Sequence, residues 1–242
     1  MVALFVVITI AFFLIIDMVL QKLDERKGLP SPLFSPARAL KAIPEAAREP
    51  LPLQPESFLL PRGIFYSRGH AWMRIFSTGL VRVGVDDFVQ KLLGRIDGLT
   101  LRAKGEIVKA GEPLLTIHQG GREVTVHSPV EGKVEMVNRE IAKHPELIRK
   151  DPYKEGWVIA IQPAHLSEDL PRLAIAERAE GWLAEEVHRL RLFLGAATPA
   201  LAAAGHTLPD GGVPVTGFLE HLDDQAWKSF QDAFLSANRE GR

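Results

Sequence analysis

The fold is decided by the stretch Leu114-Leu115-Thr116-Ile117-His118-Gln119-Gly120-Gly121-Arg122-Glu123-Val124-Thr125-Val126-His127. Apolar and polar side chains alternate on both sides of Gly120-Gly121, which is the pattern of strands that bury one face. Two glycines between such runs supply the positive φ angles that a two-residue hairpin turn needs. The stretch therefore predicts a tight β-hairpin with the glycines at its tip and His118 opposite Glu123.

Short runs of the same kind, separated by Gly and Pro, occur on both sides of this hairpin. They predict strands at residues 71–75, 80–85, 98–101, 113–118, 123–127, 132–137 and 157–162. Helices are predicted near residues 86–93, where Phe88, Leu92 and Leu93 share a face, and near residues 141–148. Seven short strands with frequent turn signals indicate a mainly β sandwich or barrel.

Six motifs occur in order between about Gly63 and Phe193. They are His70-Ala71-Trp72; Val83-Gly84-Val85-Asp86-Asp87-Phe88 with Gly94 and Ile96; Gly105 with Val108-Lys109-Ala110-Gly111-Glu112; Ser128-Pro129-Val130 with Gly132; Asn138 with Pro145 and Leu147; and Asp151-Pro152-Tyr153-Lys154-Glu155-Gly156-Trp157. In this register they resemble the H protein of the glycine cleavage system, the lipoyl-bearing shuttle of that complex. The resemblance implies a flattened barrel-sandwich hybrid of two antiparallel sheets with lipoyl-domain topology.

The resemblance also places the family's lipoyl-bearing lysine at Gly121. The spacing between the motifs on either side of the hairpin equals that of the family, and no lysine lies between Lys109 and Lys133. Glycine has no nucleophilic side chain, and the guanidinium of Arg122 stays protonated and is not an acylation acceptor. We therefore expect an H-like domain without lipoate or another cofactor; a carrier with an unrecognised attachment site and a barrel that binds a small molecule are alternatives.

Two other groupings of reactive side chains have little support. His118 and His127 lie on opposite arms of the hairpin, and the expected register places them too far apart to share a metal ion. Ser128, His70 and Asp87 supply a hydroxyl, an imidazole and a carboxylate, but the serine lacks the strand–turn–helix context of a nucleophile elbow. We therefore predict no catalytic residue, no metal site and no enzymatic activity.

The composition is that of an ordinary globular chain. Of 242 residues, 46% are hydrophobic and 24% are charged, and the formal net charge is −1. Nucleic acid is not an expected partner, because its recognition calls for a strongly basic face. The chain has no cysteine, which excludes disulfides, thiol catalysis and cysteine-ligated metal clusters.

The N-terminus is apolar over the length of a membrane span. Residues 2–16 carry no charge, and Met18-Val19-Leu20 extends the run past Asp17. A helix of about 20 residues spans roughly 30 Å, the thickness of the hydrocarbon core. Residues 1–22 therefore predict a transmembrane helix with Asp17 near the interface or beside another membrane subunit. A cleaved signal peptide is disfavoured, because no basic residue precedes the run and no Ala-x-Ala follows it directly.

The charge distribution predicts the orientation of this helix. Basic side chains follow the apolar run at Lys22, Arg26, Lys27, Arg38, Lys41 and Arg48. The positive-inside rule then places the C-terminal domain in the cytoplasm, on a single-pass membrane protein.

The remaining sequence divides into four parts. Residues 23–60 contain seven prolines and predict an extended spacer. Residues 61–168 form the predicted β domain, and residues 169–194 have the pattern of an amphipathic helix. Residues 195–242 predict a loop to about residue 214 and a C-terminal helix at 223–235.

Two surfaces are candidates for binding a protein partner. Trp227, Phe230 and Phe234 recur at helical spacing and either meet a partner or pack on the domain. Gln119, Arg122 and Glu123 form a mixed polar patch beside the hairpin tip. The sequence thus favours a non-catalytic scaffold subunit of a larger membrane complex, with redox complexes as one candidate; a regulator or decoy in glycine cleavage or lipoate metabolism is the alternative.

Overall fold

The computed structural model of the chain describes residues 49–203 and 214–236, with side chains described up to Gly195 in the first range. The predicted anchor at residues 1–22 and most of the predicted spacer lie outside these residues. Among the described helices, none is both long enough and apolar enough to cross a membrane.

The described residues form nine strands in two antiparallel sheets. The strands are β1 (Phe65–Tyr66), β2 (Ala71–Ile75), β3 (Val81–Val85), β4 (Gly98–Leu101), β5 (Ile107–Val108), β6 (Pro113–Gln119), β7 (Arg122–His127), β8 (Gly132–Val137) and β9 (Trp157–Pro163). The larger sheet has the order β1-β2-β3-β9-β8-β5 and the smaller has the order β4-β6-β7. All seven predicted strands are present, whereas the two-residue strands β1 and β5 were too short to be predicted.

Both sheets contribute to one hydrophobic core. Val83 and Ile159 of the larger sheet and Ile117 and Val124 of the smaller are at most 1% exposed and belong to the same buried cluster. Alternation places every second side chain of these strands on the core face. The mainly β architecture expected from the sequence is therefore confirmed.

Six α-helices accompany the sheets in the described part of the chain, besides three short 3-10 helices at Pro55–Ser57, Leu170–Arg172 and Phe218–His221. They are α1 (Asp87–Leu93), α2 (Arg139–Lys143), α3 (Leu147–Lys150), α4 (Leu166–Asp169), α5 (Glu177–Ala203) and α6 (Asp224–Phe230), the last continuing into a π-helical turn at Gln231–Leu235. The helix α1 begins after Asp86, whose carboxylate caps it by accepting a hydrogen bond from the amide of Val89 at 3.0 Å. The helix α5 continues well beyond residue 194, where a loop was predicted, because its last turns are rich in alanine, the strongest helix former.

The end of the predicted spacer is part of the domain. Leu51 and Phe58 are 3% and 4% exposed, and the ring of Phe58 lies 5.1 Å from that of Phe88. The amide of Leu51 also donates to the carbonyl of Pro214 at 2.7 Å. Prolines at this density prevent a long helix but not burial of the apolar side chains between them, so the predicted boundary at residue 60 is too late.

Residues 214–236, the C-terminal segment, pack on the domain. Trp227, Phe230 and Phe234 are 4%, 0% and 1% exposed, and Phe234 lies 6.1 Å from Phe88 between ring centroids. The sequence left two roles open for this aromatic face, and in the structure the face packs on the domain. The three side chains are therefore not available to a partner in this conformation.

Candidate functional site

The hairpin tip is a two-residue turn, as predicted. Gly120 and Gly121 have φ angles of 56° and 81°, and His118 pairs with Glu123 in the register of β6 and β7. A Cβ atom at either glycine would meet nothing within 4 Å. The tip therefore projects into open space, and its left-handed backbone is the reason for the two glycines.

The tip carries no amine. The lysines nearest to it in sequence are Lys109, which directly follows β5, and Lys133, which lies on β8. Both strands belong to the larger sheet, whereas the hairpin belongs to the smaller one. Neither lysine is therefore part of the turn.

Asp97 holds the tip from one side. Its Oδ2 accepts a hydrogen bond from the amide of Gly120 at 2.7 Å, and its Oδ1 lies 2.7 Å from Nη2 of Arg95. The hydrogen bond from Gly120 has the largest effect and lowers the pKa of Asp97; desolvation opposes it, and the charge and hydrogen bond of Arg95 lower the pKa further. Because both contacts favour the ionised carboxylate, Asp97 stabilises the turn most when it is charged.

Gln119 belongs to the interior rather than to a surface patch. Its side chain is 5% exposed, and its Nε2 donates to the carbonyl of Leu93 and, at 2.6 Å, to that of Arg95. The alternation of β6 places Gln119 on the same side as Ile117, which is fully buried. The prediction of an accessible Gln119 is therefore wrong, and its role is to fix the end of β6 to the turn after α1.

The C-terminal segment holds the hairpin from the other side. Nη2 of Arg122 lies 2.8 Å from Oδ1 of Asp224, and the guanidinium lies 5.3 Å from the ring centroid of Trp227. Gln231 donates through Nε2 to the carbonyl of Glu123. These contacts join residues about one hundred positions apart and were not predicted, because no local pattern indicates them. Arg122, the first residue of β7, is thus paired with a carboxylate of the same chain.

Glu220 extends this contact to the base of the hairpin. It accepts a hydrogen bond from the amide of Arg95, and its Oε1 lies 3.5 Å from Nε2 of Gln119. A Cβ atom at Gly94 would overlap with the same oxygen. The close approach of Glu220 therefore depends on glycine at position 94.

A row of three polar side chains crosses the smaller sheet. Oγ1 of Thr100 lies 2.7 Å from Nε2 of His118, whose Nδ1 lies 3.3 Å from Oε1 of Glu123. The order hydroxyl, imidazole, carboxylate is that of a nucleophilic triad. However, the side chains of His118 and Glu123 are 37% and 65% exposed, whereas triads act in sites that exclude water. We therefore interpret these three side chains as polar contacts that join β4, β6 and β7.

The other groupings considered in the sequence are not brought together. The hydroxyl of Ser128 donates to the carbonyl of Val130 at 2.7 Å, and His70 pairs with Asp86 rather than Asp87. Asp87 instead lies 2.8 Å from Nζ of Lys91. In the described part of the chain, no group of three or more His, Asp or Glu side chains is placed to hold a metal ion.

The two antiparallel sheets and the turn at the edge of the smaller one define a lipoyl-domain-like β protein. The family model described as "Glycine cleavage H-protein" matches residues 64–186. The chain therefore belongs to the glycine cleavage H-protein family.

Two curated relatives, one archaeal and one bacterial, support this assignment by their sequences. The chain is 35% identical over 120 residues to a probable glycine cleavage system H protein of Pyrococcus furiosus, covering 50% of this chain and 89% of that protein. It is 37% identical over 123 residues to the glycine cleavage system H protein of Coprothermobacter proteolyticus, covering 51% and 96%. A crystal structure of the H protein from Mycobacterium marinum aligns with 26% identity and a TM-score of 0.44, covering 52% of this chain and 98% of that one.

Proposed function

We propose that this chain is a non-catalytic binding module: an H-family domain that carries no lipoyl group and is attached to a membrane by residues 1–22. It serves as an accessory subunit of a larger membrane complex, for which redox complexes are candidates. In this proposal Gly121 occupies the position of the family's lipoyl-bearing lysine, and the bulk of the chain is cytoplasmic.

The proposal rests on one observation: the tip of the hairpin has no side chain to which a lipoyl group could be attached. An arm-bearing residue needs a nucleophilic amine at the apex of the turn, and the turn Gly120-Gly121 offers none. The hairpin is also held on both sides, by Asp97 at Gly120 and by Asp224 at Arg122. The backbone of the tip is thus fixed by side chains of the domain, and the tip bears no group to which an arm could be attached.

Two sequence features support attachment to a membrane and a binding role. The uncharged run at residues 2–16 has the composition of a membrane span, and basic residues follow it. Ser128, His70 and Asp87 do not come together, and the side chains of His118 and Glu123 are open to water. Binding is therefore the function that the remaining surface supports.

Purification of the tagged full-length protein from its own membranes in a mild detergent tests the proposal. We expect stoichiometric membrane proteins to co-purify and the intact mass to equal that of the unmodified chain. A matched variant that lacks residues 1–20 should lose both membrane attachment and the partners. A lipoyl-sized mass increase, or a monodisperse chain without any partner, would contradict the proposal.

A second candidate function is regulation of carrier-protein enzymes. The hairpin keeps a sharp two-residue turn that projects from the domain, so an enzyme that recognises the shape of an H protein could still dock on it. Such a decoy should compete with a lipoylated H protein for the glycine decarboxylase. The test is inhibition of glycine cleavage by the full-length chain, with heat-unfolded chain as the control; absence of inhibition at excess would eliminate this function.

A further inference from the structure

The face of the larger sheet that points away from the smaller one is covered at one end. Trp72 of β2 is 1% exposed there, and its ring lies 5.8 Å from that of Tyr153. Two residues further along β2, Arg74 lies on the same face and is partly exposed, as is Arg82 on β3. The covered end belongs to the core, so the uncovered end is the part of the sheet that a partner can reach.

The two arginines at this end are directly opposite each other. Arg74 pairs with Arg82 in the register of β2 and β3. Like charges in such a pair destabilise a sheet. Among the described residues, neither guanidinium has a carboxylate within ion-pair distance, unlike Arg95, Arg102 and Arg122. A local arrangement that opposes stability is expected where a surface serves function.

The guanidinium of Arg82 is held in place by two aromatic rings. Its central carbon lies 4.8 Å from the ring centroid of Phe76 and 4.8 Å from that of Trp157. Contacts of this kind use the flat faces of the guanidinium and leave its N–H edges free for a planar acceptor. Arg82 is therefore pre-organised to donate paired hydrogen bonds to a carboxylate.

An apolar side chain continues the row of arginines across the sheet. Arg82 pairs with Ala160 of β9, and Ala160 pairs with Met136 of β8. Met136 is 47% exposed. Arginine, aromatic residues and methionine are the types enriched at protein–protein interfaces.

We propose that Arg74, Phe76, Arg82, Met136 and Trp157, the Arg74 surface, dock a protein partner that presents Asp or Glu carboxylates on a largely apolar surface. The carboxylates pair with the two guanidinium groups and remove their mutual repulsion, while the apolar part of the partner covers Met136 and the ring edges. This inference rests on the proposed binding function and specifies which surface performs it.

A protein fits this surface better than the other anionic partners. Binding to nucleic acid or an anionic bilayer relies on many cationic contacts, whereas this row has two arginines and then turns apolar. The neighbouring Lys133 is paired with Glu135 at 3.2 Å, which adds a carboxylate rather than free positive charge. The small positive charge within an apolar setting suits a local cluster of carboxylates.

The first test separates folding from binding. In the full-length protein, Arg74→Glu should replace a repulsive pair by an attractive one with Arg82, so the thermal midpoint should stay equal or rise. The amount of partner that co-purifies should fall about tenfold or more, the loss typical of a central interface residue. Arg68→Glu is the matched control, because Arg68 is exposed in the turn between β1 and β2, at the opposite end of β2 from Arg74, and has the same change in charge; it should retain the partner.

The second test identifies the groups that meet. A water-soluble carbodiimide joins an amine to a nearby carboxylate as an amide, and the carbodiimide takes up the water that is lost. In isolated membranes, Arg74→Lys should yield a new cross-linked product that wild type and Arg68→Lys lack. Peptide mapping should place the link between position 74 and an Asp or Glu of another protein.

The outcomes distinguish an error in the proposed Arg74 surface from an error in the proposed binding function. Partners that co-purify equally with wild type and Arg74→Glu, or a link to this chain's own residues or to a second copy, would overturn the Arg74 surface and leave the binding function standing. Charge-dependent sedimentation with phosphatidylserine vesicles that Arg74→Glu abolishes would indicate a lipid surface instead. Absence of any co-purifying protein would overturn both proposals.

Discussion

Arg122, the first residue of β7, forms an ion pair with Asp224, the first residue of α6, across 102 positions of sequence. The same guanidinium lies over the ring of Trp227, one turn further along the helix. Asp224 is 93% exposed, whereas Arg122 is 24% exposed. The two partners therefore contribute differently: the charge pair is solvated, and the contact of Arg122 with the indole is partly buried.

We expect Arg122→Ala to destabilise the protein by about 1 kcal/mol and Asp224→Asn by at most a few tenths. Exposed ion pairs contribute little, whereas the arginine stem and its cation–π contact are lost on truncation. Urea unfolding of the two variants measures the difference, with Arg139→Ala as a control at an exposed arginine. Equal losses for Arg122→Ala and Asp224→Asn would show that the ion pair, not the ring contact, holds the C-terminal segment.

Replacement of either glycine at the hairpin tip should lower the free energy of unfolding. Gly120→Ala and Gly121→Ala each place a Cβ in open space, so any loss reflects backbone strain at positive φ, roughly 1–2 kcal/mol per residue. Gly181→Ala is a matched control, because Gly181 lies in α5 with open space around its Cβ. That substitution should stabilise the protein by about 0.5–1 kcal/mol. Free energies of unfolding in urea measure all three, and a neutral effect at both tip positions would contradict the left-handed turn.

The contribution of Asp97 to the stability of the turn should decrease at low pH. The pKa of Asp97 is lowered in the folded protein, first by the amide of Gly120 and then by Arg95. A carboxyl whose pKa falls on folding contributes stability that is complete above its unfolded pKa of about 4 and is lost as the pH falls through the folded value. The effect is small because the carboxyl is partly exposed.

Titration of the Asp97 carboxyl by NMR, together with urea unfolding between pH 6 and pH 2, measures this contribution. Asp97→Asn should flatten the acid limb of the stability profile, and Arg95→Ala should raise the pKa of Asp97 only partly, because the stronger contact with Gly120 remains. An unshifted Asp97 in the wild-type protein would contradict the hydrogen bond to the turn.

The sequence predicted those parts of the hairpin that depend on neighbours along the chain. Alternation and Gly120-Gly121 were sufficient for the turn and its register, because both are local properties. The burial of Gln119 was missed although the alternation contains it: the same pattern that buries Ile117 buries the residue two positions later. The position of Gln119 beside the tip indicates a surface role, whereas the periodicity of β6 places its side chain in the interior.

The contacts of the C-terminal segment with the hairpin could not be predicted in the same way. Asp224 and Gln231 meet β7 because the C-terminal segment packs its aromatic face on Phe88 and Phe193, and no local pattern shows which surface an amphipathic helix will cover. The pairing of Arg74 with Arg82 follows from the register of β2 and β3, which the charges themselves do not indicate. Long-range contacts of this kind are set by the packing of the whole domain.

The buried group at the junction of the larger sheet and α5 gives the last prediction. Nδ1 of His70 lies 2.8 Å from Oδ2 of Asp86, and its Nε2 lies 3.8 Å from Oε2 of Glu186, with all three side chains at most 3% exposed. The other oxygen of Asp86 caps α1 at the amide of Val89. One carboxylate thus serves both a helix and a buried imidazole.

Asp86→Ala should therefore cost about 2–4 kcal/mol, because it removes the cap and leaves the buried Nδ1 of His70 without its hydrogen-bond partner. Asp86→Asn keeps an oxygen for the cap and should cost clearly less, while Asp223→Ala at the N-cap of α6, which accepts from the amide of Ala226 at 2.7 Å, should cost only about 1 kcal/mol. Urea unfolding of the three variants separates the two roles of Asp86. If Asp86→Ala costs no more than Asp223→Ala, the contact with His70 contributes nothing to stability, and α5 is held on the sheet by its apolar side chains alone.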